Sequence, residues 1–370
     1  MKFVIFGLTI SSSWGNGHAT LWRGLFNALR RRDHHVVFFE RDVPYYAAHR
    51  DLDQLDGGNL ILYPDWDSIT PAAIRHLDDA DVAIVTSYCP DGIAASDLVL
   101  SSPRPVHLFY DLDTPVTLAR IEAGEPTGYI GPRGLRDFDL VLSYTGGDAL
   151  RQLSTRLEAR RVAALYGCVD PEVHRPAPVV PAYRADLSYL GTYARDRQDV
   201  LEALFVEPAR MRSARRFVLG GAEYPYAFPW TENIYFVRHL PPGEHAAFFS
   251  SSRVTLNVTR TAMARLGYCP SGRLFEAAAC GTPILTDWWD GLDEFFRPGE
   301  EILVAGKTAD SIAAIEADDA ELARIARLAR ERTLDEHTAD RRALELEQIL
   351  DTLSAEPKAV RTSQMNPVPS

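Results

Sequence analysis

The stretch FVIFGLT at Phe3–Thr9 and the stretch VVFFE at Val36–Glu40 decide the fold of this chain. Both are continuously apolar rather than alternating, which is typical of strands buried on both faces of a sheet. Between them, apolar residues recur at helical spacing from Leu21 to Leu29. A strand, a helix and a second strand in this order predict a parallel βαβ unit.

The same alternation continues along the chain and occurs in both halves. In the first half the further predicted strands are Leu60–Tyr63, Val82–Ser87, Val106–Tyr110, Leu140–Ser143 and Val162–Tyr166. In the second half they are Leu187–Leu190, Arg216–Gly220, Ile234–Val237, Val254–Val258, Pro283–Thr286 and Ile302–Val304. Each half therefore predicts a doubly wound α/β domain with a parallel sheet. Such sheets bind ligands beyond the carboxyl ends of their strands, so two joined domains face each other across a cleft.

The domain limits follow from changes in composition. The segment RPAPVVPAY at Arg175–Tyr183 contains three prolines, which remove backbone donors and favour a stiff linker. We therefore predict an N-terminal domain over 1–175, a linker over 176–183 and a C-terminal domain over 184–334. The tract from Asp335 to Leu353 predicts a long helix, assigned to 335–354. The remaining residues, 355–370, contain three prolines and no apolar periodicity, which predicts disorder.

The overall composition excludes several classes of protein. Hydrophobic residues make up 46% of the 370 residues and charged residues 24%, which is typical of a globular chain. The net charge of −12 gives no general attraction to nucleic acid or anionic lipid. No apolar stretch reaches the roughly 18 residues of a membrane span. Four scattered cysteines argue against disulfides and cysteine-bound zinc. We expect a reduced, cytoplasmic protein whose oligomeric state stays open.

The segment PSGRLFEAAACGTPILTD, at residues 270–287, carries the clearest chemistry. Ser271 and Gly272 stand where a loop turns into a helix, and helix N-termini hold phosphate well. Arg273 in the first turn adds a bidentate group for a diphosphate. Glu276, one turn later, lies on the same face and can accept hydrogen bonds from ribose hydroxyls. A buried alanine-rich helix would explain the alanines, but not Arg273 together with Glu276.

Within this segment, FEAAACGTPILTD resembles the donor-site motif of group-1 glycosyltransferases, particularly their spore maturation glycosyltransferase-like branch. The resemblance covers about Leu187–Leu353. It implies the GT-B fold, transfer with retention, contact of Glu276 with the ribose of a nucleotide, and a last helix that crosses back onto the first domain. The family often has a second glutamate eight residues earlier, near the transferred sugar. This chain has Tyr268 there, so the paired-glutamate motif is incomplete, and we predict Tyr268 itself among the donor-binding residues.

The resemblance gives a role to the segment YLGTYARDR at Tyr189–Arg197. The family places a glycine and a basic residue after this strand, at the donor diphosphate. That implies Gly191 and Arg195, with Arg197 as a further basic residue. Two solvated arginines at a helix start are the alternative.

The segment FVRHLPP at Phe236–Pro242 ends another predicted strand. In similar proteins backbone groups at this point contact the base of the nucleotide, which implies Arg238 and His239. An ordinary loop between a strand and a helix is the alternative.

The N-terminal loop SSSWGNGHA at Ser11–Ala19 contains a G-x-G pattern without the third glycine of a dinucleotide fingerprint. A dinucleotide site is therefore weakly indicated, even with Glu40 at about the spacing of a ribose partner. The alternative is that the loop lets an acceptor or a donor phosphate approach the backbone. His18, at the helix start, would then face the cleft as a proton acceptor, although capping or packing also explains it. The predicted cleft loop consists of Gly15, Asn16 and Gly17.

The segment YDLDTP at Tyr110–Pro115 brings two carboxylates to the carboxyl end of a predicted strand. They suit a role in orienting an acceptor hydroxyl or accepting its proton. They also suit capping of the next helix, with Pro115 at its first position. We predict Thr114 as the N-cap and Asp113 as the catalytic carboxylate.

Together with these patterns, the resemblance implies a GT-B glycosyltransferase that moves a sugar, of hexosyl type, from a nucleotide diphosphate such as UDP to an unidentified acceptor. The predicted catalytic residues are His18 and Asp113. We expect no cofactor beyond the nucleotide-sugar co-substrate, no metal and no nucleic-acid partner. Two alternatives stay open: a sugar-nucleotide epimerase of the same architecture, and a non-catalytic protein that binds nucleotide sugars.

Overall fold

A computed structural model describes residues 1–355 of the chain, which form two parallel sheets. The first sheet has seven strands in the order β3-β2-β1-β4-β5-β6-β7, and the second has six in the order β10-β9-β8-β11-β12-β13. The strands are β1 Lys2–Gly7, β2 His35–Arg41, β3 Asn59–Tyr63, β4 Val82–Thr86, β5 Val106–Asp111, β6 Leu140–Ser143, β7 Val162–Ala164, β8 Ala185–Leu190, β9 Phe217–Gly221, β10 Ile234–Arg238, β11 Ser252–Asn257, β12 Ile284–Thr286 and β13 Leu303–Val304. Every strand predicted from the sequence is present, which confirms the two doubly wound, Rossmann-like α/β domains.

Helices cover both faces of each sheet. They are α1 His18–Arg31, α2 Pro44–Ala47, α3 Trp66–Asp78, α4 Gly92–Ser101, α5 Thr114–Glu122, α6 Asp148–Leu157, α7 Gln198–Leu201, α8 Glu207–Met211, α9 Pro242–Ser250, α10 Thr261–Leu266, α11 Gly272–Ala279, α12 Leu292–Phe295, α13 Thr308–Glu316, α14 Asp319–Glu336 and α15 Ala339–Ala355. Short 3₁₀ turns occur at Pro181–Tyr183 and Arg195–Arg197, and a π turn at Glu202–Val206 joins α7 to α8.

The core of each domain is split by its sheet. In β1, Phe3 and Ile5 belong to one buried cluster, whereas Val4 and Phe6 belong to the cluster on the opposite face. Successive side chains of a strand point to opposite faces, so a strand that is buried on both faces must be apolar throughout. This is why the unbroken run in β1 predicted a central strand.

The C-terminal helix crosses back onto the N-terminal domain, as the resemblance implied. The sequence predicted one helix from Asp335, but α14 continues to Glu336 and α15 begins at Ala339, so the predicted start was wrong. Leu346 and Leu350 of α15 are buried in the same cluster as α1. At the break, the buried Arg342 side chain donates to the carbonyls of Tyr166 and Gly167, at 3.2 Å each. These hydrogen bonds attach the start of α15 to the segment that follows β7.

The predicted domain limits remain predictions. The tail predicted to be disordered, 355–370, lies outside the described residues except for Ala355. Among the described residues, no helix combines the length and the apolar character needed to cross a bilayer.

Candidate functional site

A cavity of about 890 Å³ lies between the two domains. Its walls come from loops that follow β1, β4 and β5 in one domain and β8, β9, β10 and β11 in the other, together with the start of α11. These loops stand at the carboxyl ends of parallel strands, where doubly wound sheets bind ligands. The predicted cleft is therefore present and has room for a nucleotide sugar.

The cavity brings together most of the residues proposed from the sequence, although they are spread over more than 250 positions of the chain. Two of the proposed residues do not line it, Arg238 and Tyr268. Those that do are Gly15, Asn16, Gly17, His18, Asp113, Gly191, Arg195, His239, Ser271, Gly272, Arg273 and Glu276.

Tyr268 and Arg238 are placed elsewhere for identifiable reasons. Tyr268 has a φ of +49°, and its ring packs so closely on Gly147 that a Cβ there would lie 2.4 Å from ring carbon Cδ2. The carbonyl of Tyr268 also accepts from the Gly146 N–H at 3.0 Å. Tyr268 therefore joins the two domains beside the cavity. Arg238 is exposed at the end of β10, an edge strand.

The N-terminus of α11 faces the cavity. Ser271 is the N-cap residue, but its side chain makes no capping hydrogen bond, and its hydroxyl accepts from Arg273 Nη1 at 3.3 Å. Among residues 1–355, Arg273 has no carboxylate partner. The N–H groups of the first turn and a guanidinium that has no counter-ion within the described part of the chain are the groups that suit an anion.

Arg197 is more strongly placed than the sequence suggested. The sequence favoured Arg195, which is exposed, whereas Arg197 is buried at the cavity wall with only 6% of its surface exposed. Arg197 Nη2 donates to the Thr192 carbonyl, while its buried Nε has no partner among the described residues. Burial lowers the pKa of Arg197, and the positive charge of Arg273 lowers it further. Two cations facing one cavity favour an anionic ligand.

The carboxylate of Glu276 is buried at the cavity wall. Its Oε2 atom lies 3.4 Å from His245 Nδ1 and 3.9 Å from His174 Nε2, neither of which was predicted as a site residue. Burial alone would raise the pKa of Glu276, but His174, His245 and Arg273 outweigh burial and lower it to about 2. Glu276 is therefore an anion at neutral pH. Its other oxygen, Oε1, lies near Gly272 at the start of α11, 3.8 Å from the position that a Cβ would take there.

Glu40 has a different role from the ribose partner considered in the sequence. Its buried carboxylate accepts from the hydroxyls of Thr9 and Ser11 at 2.8 and 2.6 Å, and from the N–H groups of Ile10 and Ser11 at 2.8 and 3.0 Å. A carboxylate with about four acceptor positions is then fully used. The dinucleotide interpretation of this loop is wrong, because Glu40 holds the loop itself.

The glycine loop is shaped by its own side chains. Gly15 has a φ of +67°, a left-handed conformation that strains other residues. Asn16 accepts from the Ala19 N–H at 3.2 Å and donates to the Ser12 and Trp14 carbonyls. Gly17 has open space where a side chain would begin, so the loop leaves room beside His18.

His18 and Asp113 meet across the N-terminal side of the cavity. His18 Nε2 lies 2.8 Å from Asp113 Oδ2. Asp113, not Thr114, occupies the N-cap position of α5, which corrects the predicted cap, and its side chain makes no capping hydrogen bond. The neighbouring Asp111 is fully buried, and this burial raises its pKa to about 6. The polar group that faces the cavity here is therefore the His18–Asp113 pair.

Several aromatic side chains at the cavity were missed by the sequence reasoning. Tyr46 and Tyr88 line it, and Tyr88 has a φ of +61°, a conformation that is uncommon and strained for a bulky residue. The Trp14 ring packs on His239 of the other domain, with centroids 4.2 Å apart. The position of Tyr88 directly after a buried strand was the available signal. No signal indicated Trp14, because its partner lies more than 200 residues away.

Comparison with known proteins agrees with this geometry. Residues 197–348 match the family described as glycosyl transferase-like. That segment contains Arg273 and Glu276 and leaves the N-terminal domain outside the match. None of the curated proteins matches the chain significantly by sequence.

Solved structures resemble the whole chain. A sucrose-phosphate synthase from Thermosynechococcus elongatus is 15% identical with a TM-score of 0.65, over 96% of this chain and 99% of its own. HepE of Anabaena in complex with UDP-glucose is 11% identical with a TM-score of 0.67, over 95% and 100%. An alpha-glucosyltransferase in complex with UDP-glucose and DNA is 12% identical with a TM-score of 0.68, over 96% and 99%. The fold is GT-B. At sequence identities of 11–15%, these similarities establish the GT-B fold and nothing about the substrates of this chain.

Proposed function

We propose that this protein transfers a glycosyl group from UDP-sugar, held by the C-terminal domain, to an acceptor hydroxyl held against the N-terminal domain. The observation that carries the proposal is the pairing of two features across one cavity. On one side are the α11 N-terminus and the guanidinium groups of Arg197 and Arg273, which have no carboxylate partner among the residues that the structure describes. On the other side is the His18–Asp113 pair.

The C-terminal side of the cavity suits a nucleoside diphosphate as a negatively charged leaving group. Arg273 and Arg197 line the cavity and have no carboxylate partner in the described range 1–355. Asp196 is engaged by Arg260 at 3.3 Å rather than by Arg195. Breaking the bond between the sugar and the phosphate builds negative charge on the diphosphate. Preorganised cations and helix N–H groups stabilise that charge without reorganisation.

Glu276 suits the ribose of the donor. Its carboxylate is an anion, and its Oε1 atom is directed to the side of Gly272 at the cavity. A buried carboxylate accepts charge-assisted hydrogen bonds from hydroxyl groups, which are about twice as strong as neutral ones. UDP is the nucleotide we propose, because the solved structures with the same fold include complexes with UDP-glucose.

The His18–Asp113 pair suits the acceptor. His18 donates from Nε2 to Asp113, which fixes the ring and leaves the carboxylate partly exposed at the cavity. A carboxylate held in this way can accept a hydrogen bond from an acceptor hydroxyl and align its oxygen. We also propose transfer with retention, supported by the resemblance of the donor segment to retaining group-1 enzymes. The acceptor itself is left open.

Isothermal titration calorimetry with UDP, GDP, ADP and dTDP tests the donor assignment. We expect UDP to bind and Arg273→Ala to weaken binding about 10- to 100-fold, the value of a charge-assisted hydrogen bond of about 1.5–3 kcal/mol. Arg324→Ala is the matched control, because this exposed arginine of the same domain pairs with Glu321 away from the cavity. Its affinity for UDP should equal that of the wild type.

Incubation with UDP-glucose then separates the proposal from its alternatives. A transferase releases UDP slowly by hydrolysis, an epimerase yields an isomerised sugar, and a binding protein leaves the donor unchanged. Binding of none of the four nucleotides would refute the donor site. Binding of UDP without turnover would leave the donor site standing and refute the transferase activity.

A further inference from the structure

Three side chains from separate elements meet behind the cavity wall. His174 follows β7, His245 lies in α9 and Glu276 lies in α11. The ligand atoms that they offer, one from each residue, all lie within 4.8 Å of one another. His174 and Glu276 are more than nine-tenths buried, and the His245 side chain is 13% exposed.

The polar atoms of this cluster are not satisfied by the protein. Within the described residues, both ring nitrogens of His174, Nδ1 of His245 and Oε2 of Glu276 have no hydrogen-bond partner. Buried polar atoms without partners are rare in native proteins and indicate a missing group.

The tautomer of His245 sharpens this point. His245 Nε2 lies 3.3 Å from the Leu240 carbonyl, which can only accept, so Nε2 carries the proton. In the neutral ring, Nδ1 then presents a lone pair to the carboxylate oxygen 3.4 Å away. Without a second proton on the ring, two acceptors would face each other, and a metal cation between them removes that conflict.

We propose that His174, His245 and Glu276 bind a divalent transition metal of the zinc class. Zinc bonds of about 2.0–2.2 Å in tetrahedral geometry place ligand atoms about 3.4 Å apart. The His245–Glu276 distance has this value, whereas the His174–Glu276 distance is 3.9 Å, so His174 would have to move closer when a metal binds.

The donor set selects the class of metal. Two imidazoles and one carboxylate suit zinc and its neighbours, whereas Mg²⁺ and Ca²⁺ require oxygen ligands. The hydrogen bond from His245 Nε2 to a backbone carbonyl is the arrangement that orients metal-binding histidines in general.

The position of the cluster leaves one side of the metal open. His245 and Glu276 line the cavity, whereas His174 does not, so the three ligands approach from the protein side. Three protein ligands with a fourth position open to a cavity are typical of exchangeable zinc sites rather than of closed structural ones. Because the chelating residues are far apart in sequence, no spacing motif signals them, and the site departs from the metal-free expectation drawn from the sequence.

Cobalt substitution tests this inference without any nucleotide, so its outcome is independent of the proposed function. Protein freed of metal with a chelator is titrated with Co²⁺, and the visible d–d absorption of bound cobalt is recorded. We expect one cobalt per chain, displacement by Zn²⁺ and no competition from Mg²⁺. In His174→Ala/His245→Ala, affinity should fall by at least about 100-fold, since even outer-shell changes cost about 10- to 100-fold.

The matched control is His34→Ala. His34 Nε2 pairs with Glu347 Oε1 at 2.6 Å, so the change removes a histidine from a histidine–glutamate pair away from the cluster. Its cobalt spectrum should be that of the wild type. If the double variant does not fold, His245→Asn alone is titrated. A wild-type protein without the visible band would overturn the inference and leave a hydrogen-bonded ion pair. A band that persists in the variants would overturn it as well.

Discussion

Glu40 and Glu276 are both buried glutamates, one in each domain, and their carboxylates are in opposite states. The carboxylate of Glu40 accepts four hydrogen bonds from residues 9–11, all between 2.6 and 3.0 Å. The carboxylate of Glu276 has an oxygen with no hydrogen-bond partner among residues 1–355. Both residues had been considered as ribose partners from the sequence. Only Glu276 retains the capacity for that role.

The difference shows how to distinguish a structural acid from a functional one. A carboxylate whose acceptor positions are filled by its own loop fixes that loop and has nothing left for a ligand. A buried carboxylate with unused positions costs free energy unless a ligand or an ion uses them. The hydrogen bonds of Glu40 therefore fix the N-terminal loop as a wall of the cavity, whereas the C-terminal wall has the unused acceptor that we propose binds the donor.

The largest expected effect is the loss of stability in Glu40→Ala. The change leaves two buried N–H groups and two hydroxyls without their acceptor, and each unsatisfied donor costs about 1–3 kcal/mol. Allowing for some entry of water, we expect the free energy of unfolding to fall by about 3–5 kcal/mol. Denaturant unfolding followed by circular dichroism measures it.

The control for that experiment is Glu40→Gln. The amide oxygen can still accept from the backbone of Ile10 and Ser11, and the hydroxyls of Thr9 and Ser11 can turn to accept from the amide nitrogen. A clearly smaller loss is expected. Equal losses in the two variants, or no loss in Glu40→Ala, would remove the distinction drawn between the two glutamates.

The next largest effect concerns Glu276→Gln. The amide removes the charge that strengthens hydrogen bonds to ribose hydroxyls, so we expect the Kd for UDP to rise about 10- to 100-fold, or about 1.5–3 kcal/mol. Calorimetry measures it. Glu301→Gln is the matched control, because Glu301 is a buried glutamate of the same domain that accepts from the Arg297 N–H away from the cavity. Unchanged UDP binding in Glu276→Gln would show that this carboxylate does not contact the nucleotide.

The architecture was readable from the sequence because it depends on short-range patterns. The apolar runs gave every strand, and their alternation with helices gave two parallel sheets. The segment Pro270–Asp287 could also be recognised as a candidate binding segment from the sequence, because its helix start, its arginine and its glutamate are neighbours in sequence. The start of the last helix was misplaced, because the backbone at residues 337–339 exchanges hydrogen bonds with Val169, which is far away in sequence.

Contacts between distant residues could not be read in the same way. His174 and His245 surround Glu276 from 102 and 31 positions away, and neither stands in a motif. Glu40 has the spacing of a ribose partner, and only the hydrogen bonds of the folded loop show that it is occupied. For Arg197 the sequence left a place at the donor diphosphate and a solvated position both open, and only the fold shows that it is buried at the cavity wall. Burial and hydrogen-bond partners are properties of the folded chain, so they decide roles that residue types leave open.

The smallest expected effect tests whether the N-terminal and C-terminal walls of the cavity are coupled. Tyr45, four residues beyond β2, donates from its hydroxyl to Glu223 Oε1 of the other domain at 3.0 Å. Glu223 lines the cavity, so this hydrogen bond spans the cleft.

Tyr45→Phe removes this hydrogen bond at an exposed position, where a neutral-to-charged bond in contact with water contributes about 0.5–1 kcal/mol. We expect the Kd for UDP to rise about two- to fivefold, because the bond helps to hold the two walls of the cavity together. Tyr226→Phe is the control, since Tyr226 is a fully exposed tyrosine of the same loop. An effect of Tyr45→Phe equal to that of the control would mean that the two walls act independently, and that Glu223 orders its own loop without help from the N-terminal domain.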